Sequence, residues 1–192
     1  MKVKQGQLVQ LRPQVHVDDL TDQGLAAACA TGDRAARTLL FERHVDAVHR
    51  FVARMRASDA DAVDDLVQAT FVAAFQSADS FRGQQLRSWL FGIAANMVRG
   101  YARKEIRRKR ALSVLAAPDA ISTREPANLD AARLPAAIAA LPHDLRAALV
   151  MIDVEGERGK DAAVALRIPE GTLWRRVFHA RRALRAALDG GA

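Results

Sequence analysis

The chain has 192 residues, with 29 Lys plus Arg against 22 Asp plus Glu and a formal charge of +7. Half of its residues are hydrophobic, which excludes a disordered polyelectrolyte. The longest uncharged run, 66–78, falls short of the roughly 20 residues that span a membrane, and the N-terminus lacks a signal-peptide core, so no membrane insertion is expected.

The one cysteine, Cys29, cannot form an internal disulfide, and a reducing, cytoplasmic compartment follows. Ala and Arg dominate the composition, Gly and Pro are sparse, and β-branched runs are absent. That mixture favours an all-α fold.

Residues 1–17 show no clear period and read as a flexible tail. A helical pattern starts at Asp18 and stops at Gly32, after which Asp33 is placed to cap the next helix. Ala36, Leu39, Leu40, Val45, Val48, Phe51, Val52 and Met55 then mark an amphipathic helix to about Ala57. A third helix is predicted from about Ala60 to Ala78, with Leu66, Thr70, Phe71 and Phe75 inward. After a break at 79–83, a long helix runs from about Gln85 to Arg110, its apolar half first and its basic half last.

Two prolines and small residues make 113–131 a linker. Helices resume at about Leu134 and after Pro142, which suits a first helical position. A short helix at 159–166, a turn at 167–171 and a final helix at 172–188 complete the chain. The expectation is two small helical domains, 18–112 and 132–192, joined by the flexible linker.

The charge is local. Residues 94–110 carry a net +6, residues 171–188 a net +5, and the remainder is acidic. Solvated helix faces would also read this way, but two basic helices in one chain point to a polyanion, and nucleic acid fits best. The final pair has helix-turn-helix shape, in which the second helix reads base edges from its N-terminal residues. Thr172, Trp174, Arg175 and Arg176 would lead, with His179, Arg181 and Arg182 following, some of them toward phosphate. Leu173, Val177, Ala180 and Leu184 form the docking stripe.

No catalytic constellation competes. His44 and His49 are off one another's helix face, Cys29 has no metal-ligand partner at usable spacing, and no Gly-rich phosphate loop is found. No enzyme activity, cofactor or metal is expected.

The motif D-D-L-V-Q-A-T-F at 64–71, the run F-R-G-Q-Q-L-R-S-W-L-F-G-I-A-A-N at 81–96, the L-P to D-V-E-G stretch at 141–156 and the I-P-E-G-T-L-W-R-R-V-F-H-A-R-R-A-L helix at 168–184 follow one another in order. In these the chain resembles bacterial RNA polymerase sigma factors of the extracytoplasmic-function (ECF) group, which retain only sigma regions 2 and 4. The resemblance implies that region 2 binds the polymerase β′ clamp through Asp64, Asp65, Leu66, Gln68, Thr70 and Phe71. It implies that Arg82, Gln84 and Gln85 meet an extruded base of the −10 element. Asn96, Arg99, Arg103, Lys104, Arg107 and Arg108 would hold its backbone. Trp89 and Phe91 could stack on bases, though their spacing favours core. Region 4 would read the −35 element with the helix at 172–182 and meet the β flap. An anti-sigma partner is common in the family.

The sequence departs from the family pattern at several positions. Ala69 stands for Glu, Gly92 and Ala95 for basic residues, and Gly100 for Asp. Glu157, Gly159 and Ala162 stand for more apolar residues, which would weaken docking of the short helix. Trp174 and Arg175 replace Lys and Ser, implying an unusual −35 sequence. The competing reading is a stand-alone helix-turn-helix regulator that binds duplex DNA without polymerase.

Overall fold

A computed structural model describes residues 20–56, 61–113 and 129–189. The predicted tail at 1–17 and nearly all of the predicted linker lie outside the described residues. Within them the fold is all-α, with eight α-helices and no strand. These are α1 (Asp22–Ala30), α2 (Arg34–Arg56), α3 (Asp61–Gln76), α4 (Leu86–Ser113), α5 (Leu129–Ala140), α6 (His143–Leu149), α7 (Gly159–Ala165) and α8 (Glu170–Asp189).

Local chemistry sets the helix starts. Thr21 caps α1 by accepting from the Gly24 N–H at 3.2 Å. Gly32 turns the chain at φ +85°, and Asp33 then accepts from the Ala36 N–H at 2.9 Å to open α2. The start of α4 is capped from a distance: the Leu86 N–H donates to the Asp22 carboxylate at 2.8 Å. That one bond ties α1 to the first residue of α4.

Helices α1 to α4 form a bundle around Leu25, Leu40, Phe51, Met55, Leu86 and Leu90, each 0 or 1% exposed. Phe51 of α2 stacks on Phe91 of α4, centroids 4.6 Å apart and rings 11° from parallel. Phe91 is therefore core, and so is Trp89, which is 6% exposed and meets Phe81 edge-on.

Two boundaries differ from expectation. Helix α5 begins at Leu129, ahead of Leu134, and carries Pro135 inside it. The proline lacks an N–H, so α5 forgoes one backbone bond at that turn. Pro142 is the N-cap of α6, with φ −50° and ψ 140°, one position before the first helical residue. After α6 the chain widens into a π turn at 150–154, where the Glu155 N–H reaches the Val150 carbonyl at 2.9 Å.

The second set of helices packs on the first. Ala147, Ala148, Val150, Met151, Ala162, Ala163 and Ala165 join the same buried cluster as the α1–α4 core. Arg146 of α6 donates to the Met55 carbonyl at the end of α2, at 2.6 Å, and to the Leu141 carbonyl at 2.9 Å. Arg54 of α2 pairs with Glu155 at 2.5 Å. The sequence predicts two units on a linker; it carried no sign of this contact between them.

Candidate polymerase and nucleic-acid interfaces

Helix α3 has two faces. Asp64, Asp65 and Gln68 are exposed, and the Asp64 side chain is 89% open to solvent. His49 of α2 lies 3.5 Å from that carboxylate. The remaining three predicted clamp contacts lie inside. Leu66 is 5% exposed, Phe71 2% and Thr70 0%. The Thr70 hydroxyl donates to the Leu66 carbonyl at 2.7 Å, which satisfies it within its own helix. These three are packed in the bundle and hold α3 there. The apolar part of the outer face comes from Val72, 48% exposed, and from Phe41 of α2, 41% exposed. Phe41 packs edge-on against Phe71 at 4.8 Å. Sequence reasoning passed over both; the available signal was an apolar residue lying off each helix's buried stripe.

The loop between α3 and α4 is held by its own polar groups. Arg82 donates to the Asp79 carbonyl at 3.0 Å, and Gln84 accepts from the Arg82 N–H at 3.1 Å. Gly83 has φ +79°, a left-handed conformation that favours glycine. Gln84 is buried at 8% exposure, so it shapes the loop, while Arg82 and Gln85 face solvent. Asn96 is exposed on the same side of α4.

Two cavities open beside this loop. One, of about 320 Å³, is lined by Arg82, Gly83, Gln84, Arg158, Lys160 and Val164, with Asp161. The other, of about 250 Å³, lies between Trp89, Ile93 and Asn96 on one wall and Val164, Ala165 and Arg167 on the other.

Further along α4, Arg103, Lys104, Arg107 and Arg108 are exposed. Glu105 is held among cations. Its hydrogen bond from Lys109, at 3.0 Å, is the main reason its carboxyl lies below the usual range, and Arg56 at 3.4 Å acts in the same direction. Arg99 points instead at the second unit, where it pairs with Asp144 and approaches His143 Nδ1 at 3.5 Å. Arg176 of α8 reaches the same Asp144 carboxylate at 3.1 Å. Burial lowers the His143 pKa, with Arg99 acting in the same sense, while Asp144 and the Ala95 backbone oppose them.

Helices α7 and α8 form the expected helix-turn-helix, joined through Arg167 at φ +56°. Leu173, Val177 and Ala180 of α8 are at most 1% exposed, so the predicted stripe is seated, with Leu184 half-buried below it. The short helix is not weakly docked. Ala162 is fully buried and Ala163 is 3% exposed. A Cβ on Gly159 would stand 2.6 Å from Trp174 Cζ2, so the indole occupies the space which that glycine leaves. Glu157 has a different role: it faces α4, not α8, and binds Arg87 and Ser88.

On the outer face of α8, Trp174, Arg175, His179 and Arg182 are exposed, and Thr172 is half-buried. Arg181 grips Asp153 through two bonds at 2.9 and 2.6 Å, which raises its pKa further and fixes α8 to the π turn. Phe178, unassigned by the sequence reading, is 62% exposed beside Trp174. Among the described residues there is no group of three His, Cys, Asp or Glu placed to hold a metal. No helix among them is long and apolar enough to cross a membrane.

Comparison with known proteins matches residues 40–109 to the family described as Sigma-70 region 2 and residues 131–184 to Sigma-70, region 4. The ECF RNA polymerase sigma-E factors of Salmonella typhimurium and of Escherichia coli K12 are 30% identical over 184 residues, covering 87% of this chain and 94% of theirs. The Haemophilus influenzae sigma-E factor is 30% identical over 179 residues. Among solved structures, CnrH in complex with the cytosolic domain of CnrY aligns at TM-score 0.65 and 30% identity, over 89% of this chain and 99% of CnrH. The sigma factor RpoE of Bartonella quintana, in complex with the anti-sigma factor NepR, aligns at 0.62 and 28%, over 79% of this chain and 96% of RpoE.

Proposed function

The chain belongs to the ECF group of RNA polymerase sigma factors, subunits that bind core polymerase and direct promoter-specific initiation, and on that premise we propose how its surfaces divide the work. Region 2 takes 18–112 and region 4 takes 132–192, with 113–131 as the connection that spans the polymerase. The exposed rim Asp64, Asp65 and Gln68, with Val72 and Phe41 as its apolar part, meets the β′ clamp. An acidic and polar rim around apolar area is the composition that interfaces favour.

Arg82, Gln85 and Asn96 line the −10 base site, with Gln84 shaping it. Arg103, Lys104, Arg107 and Arg108 hold the strand's phosphates. In region 4, Trp174, Arg175, His179 and Arg182 project toward the −35 major groove. Thr172 lies at the edge of that face, and Arg176 and Arg181 position the helix. Arg175 can bond a guanine edge in bidentate fashion, and Trp174 and Phe178 suit a thymine methyl.

The observation that carries this reading is the exposed face of α8, basic and aromatic above a fully seated apolar stripe, in a chain that also carries the α3 rim. A stand-alone regulator has no use for that rim. An anti-sigma partner fits as well, since the Bartonella quintana RpoE above is in complex with an anti-sigma factor. The place of action is the cytoplasm, with the polymerase, which supplies the chemistry; no catalytic step falls to this chain.

The test is run-off transcription with bacterial core polymerase on promoters selected by the holoenzyme. A start that depends on this chain supports the reading. Tight duplex binding by the free chain with no start refutes it.

A further inference from the structure

Charge is matched at three places where the two units meet. Arg54, Arg87 and Arg99 of region 2 pair with Glu155, Glu157 and Asp144 of region 4. Beside the α3–α4 loop the match fails. Arg82 of region 2 lines the cavity of about 320 Å³ together with Arg158 and Lys160 of region 4. The cavity of about 250 Å³ shares Arg82, Gln84 and Val164 with the first and adds Arg167. Among the described residues Asp161 is the one carboxylate lining either, and it already takes Arg158 Nε at 2.6 Å. Arg82 donates to the Asp79 carbonyl at 3.0 Å and to the Phe81 carbonyl at 3.3 Å, which orient its guanidinium without neutralising it. Lys160 and Arg167 are exposed and form no ion pair among the described residues. Like charges set against one another across a contact are unfavourable, and neither wall offsets them. An anion between them would do so, and would gain charge-assisted hydrogen bonds.

The second cavity adds a different chemistry. It is a slot between Trp89 and Ile93 of α4 and Val164 and Ala165 of α7, with Ser80 and Asn96 also lining it. Close approach of the helices sets its width: a Cβ on Gly92 would stand 2.8 Å from the Ala165 carbonyl carbon. Apolar walls at a fixed separation suit a planar ring, and a hydroxyl and an amide suit the polar edge of that ring. Taken as one site, the two cavities fall in the size range of small-ligand pockets, about 300–1,000 Å³.

We propose that this site binds a nucleoside polyphosphate, with its phosphates among Arg82, Arg158, Lys160 and Arg167 and its base in the slot. Inorganic polyphosphate shares the anion chemistry but lacks the ring, and the test separates the two. Arg158, Lys160 and Arg167 take no part in the promoter contacts assigned above, so the site does not depend on that reading.

The test is isothermal titration calorimetry on the full chain, in magnesium-free buffer at fixed salt, with ATP, sodium tripolyphosphate and adenosine as probes. The expected result is saturable ATP binding, with tripolyphosphate roughly tenfold weaker for want of a base to stack, and no measurable binding of adenosine. Lys160→Ala and Arg167→Asn should each weaken ATP binding roughly tenfold, the loss of one hydrogen bond to a charged group. Asparagine tolerates the left-handed φ of +56° at position 167. Both side chains are exposed, so the fold should survive, and ligand-free melting curves check that it does. Arg185→Ala, which removes an exposed cation of α8 that lines neither cavity, should leave ATP affinity unchanged. No saturable binding of ATP or tripolyphosphate by the wild type overturns the site. Equal weakening by Arg185→Ala and Lys160→Ala reduces the binding to net charge and overturns it as well. Tripolyphosphate bound as tightly as ATP overturns the base slot and assigns the cations to inorganic polyphosphate.

Discussion

The indole of Trp174 fills the space above Gly159, with its Nε1 donating to Glu170 at 3.3 Å. Taken singly, the glycine looks like a loss of apolar docking surface and the tryptophan like an odd DNA contact. Together they form one unit, because the ring covers what the missing side chain leaves bare. The arrangement also aims Trp174, 45% exposed, along the outer face of α8.

The pair should behave as a coupled unit. Gly159→Ala would push the indole away and change the −35 preference of the holoenzyme. Trp174→Ala would weaken −35 binding outright. The double variant should cost less than the two single losses combined, with a coupling of about 0.5–3 kcal/mol, as for residues in contact. A double-mutant cycle on −35 duplex affinity measures it. Strict additivity would show the two positions to be independent.

A second prediction separates the two faces of α3. Asp64→Ala with Asp65→Ala should weaken holoenzyme assembly and leave the melting temperature nearly unchanged, since exposed substitutions away from special features change stability little. Leu66→Ala should do the reverse, at about 2–5 kcal/mol of stability for a buried leucine. Titration against core polymerase, with chemical denaturation alongside, distinguishes them. Loss of stability in the aspartate variant would contradict the division.

Arg146 offers a third. Its guanidinium spans three backbone carbonyls, of Met55, Ala139 and Leu141, and so joins the end of α2 to the start of region 4. Burial pulls its pKa down, and Arg56 adds to the effect. Arg146→Ala leaves those carbonyls without the donor. A loss of about 1.5–3 kcal/mol is expected, the range for hydrogen bonds to a charged group. Arg146→Lys should recover only part, because an ammonium cannot reproduce the planar fork. Full recovery by lysine in a denaturation curve would show that charge alone matters.

Much of this architecture was legible in the sequence, for definite reasons. The periodic stripes of α2, α4 and α8 fix which faces are buried, and Leu173, Val177 and Ala180 lie where a 4-3-4 spacing puts them. On α3 the stripe and the motif disagreed: Leu66, Thr70 and Phe71 follow the buried period, the motif offered them as clamp contacts, and their burial sides with the period. What the sequence could not reveal is contact between distant segments. Nothing local in Glu157 announces Ser88, and nothing in Gly92 announces Ala165. Asp144 is an unremarkable first-turn acid until Arg99 and Arg176 converge on it. Such pairings depend on how one unit lies against the other, and a one-dimensional period carries no information about that.

The last prediction concerns pH. His143 stands at the start of α6 between the two units, faced by Arg99 from α4 and by its neighbour Asp144, which also binds Arg176 from α8. His44 on α2 lies near Asp22, Arg43, Arg87 and Glu157. Burial is the main cause that lowers both from the ordinary 6.5. A histidine with a depressed folded pKa binds fewer protons folded than unfolded just below 6.5, so stability falls as pH falls through that window. The melting temperature should therefore be steady above about pH 7 and decline below pH 6.5, the ordinary histidine value. His143→Asn should flatten part of the slope and His44→Asn another part. The two contributions should add, since the sites sit on different helices and face different carboxylates, Asp144 for one and Asp22 and Glu157 for the other. Melting curves between pH 7.5 and 5.5 measure this, and a slope unchanged in the double variant would assign the acid sensitivity to carboxylates instead.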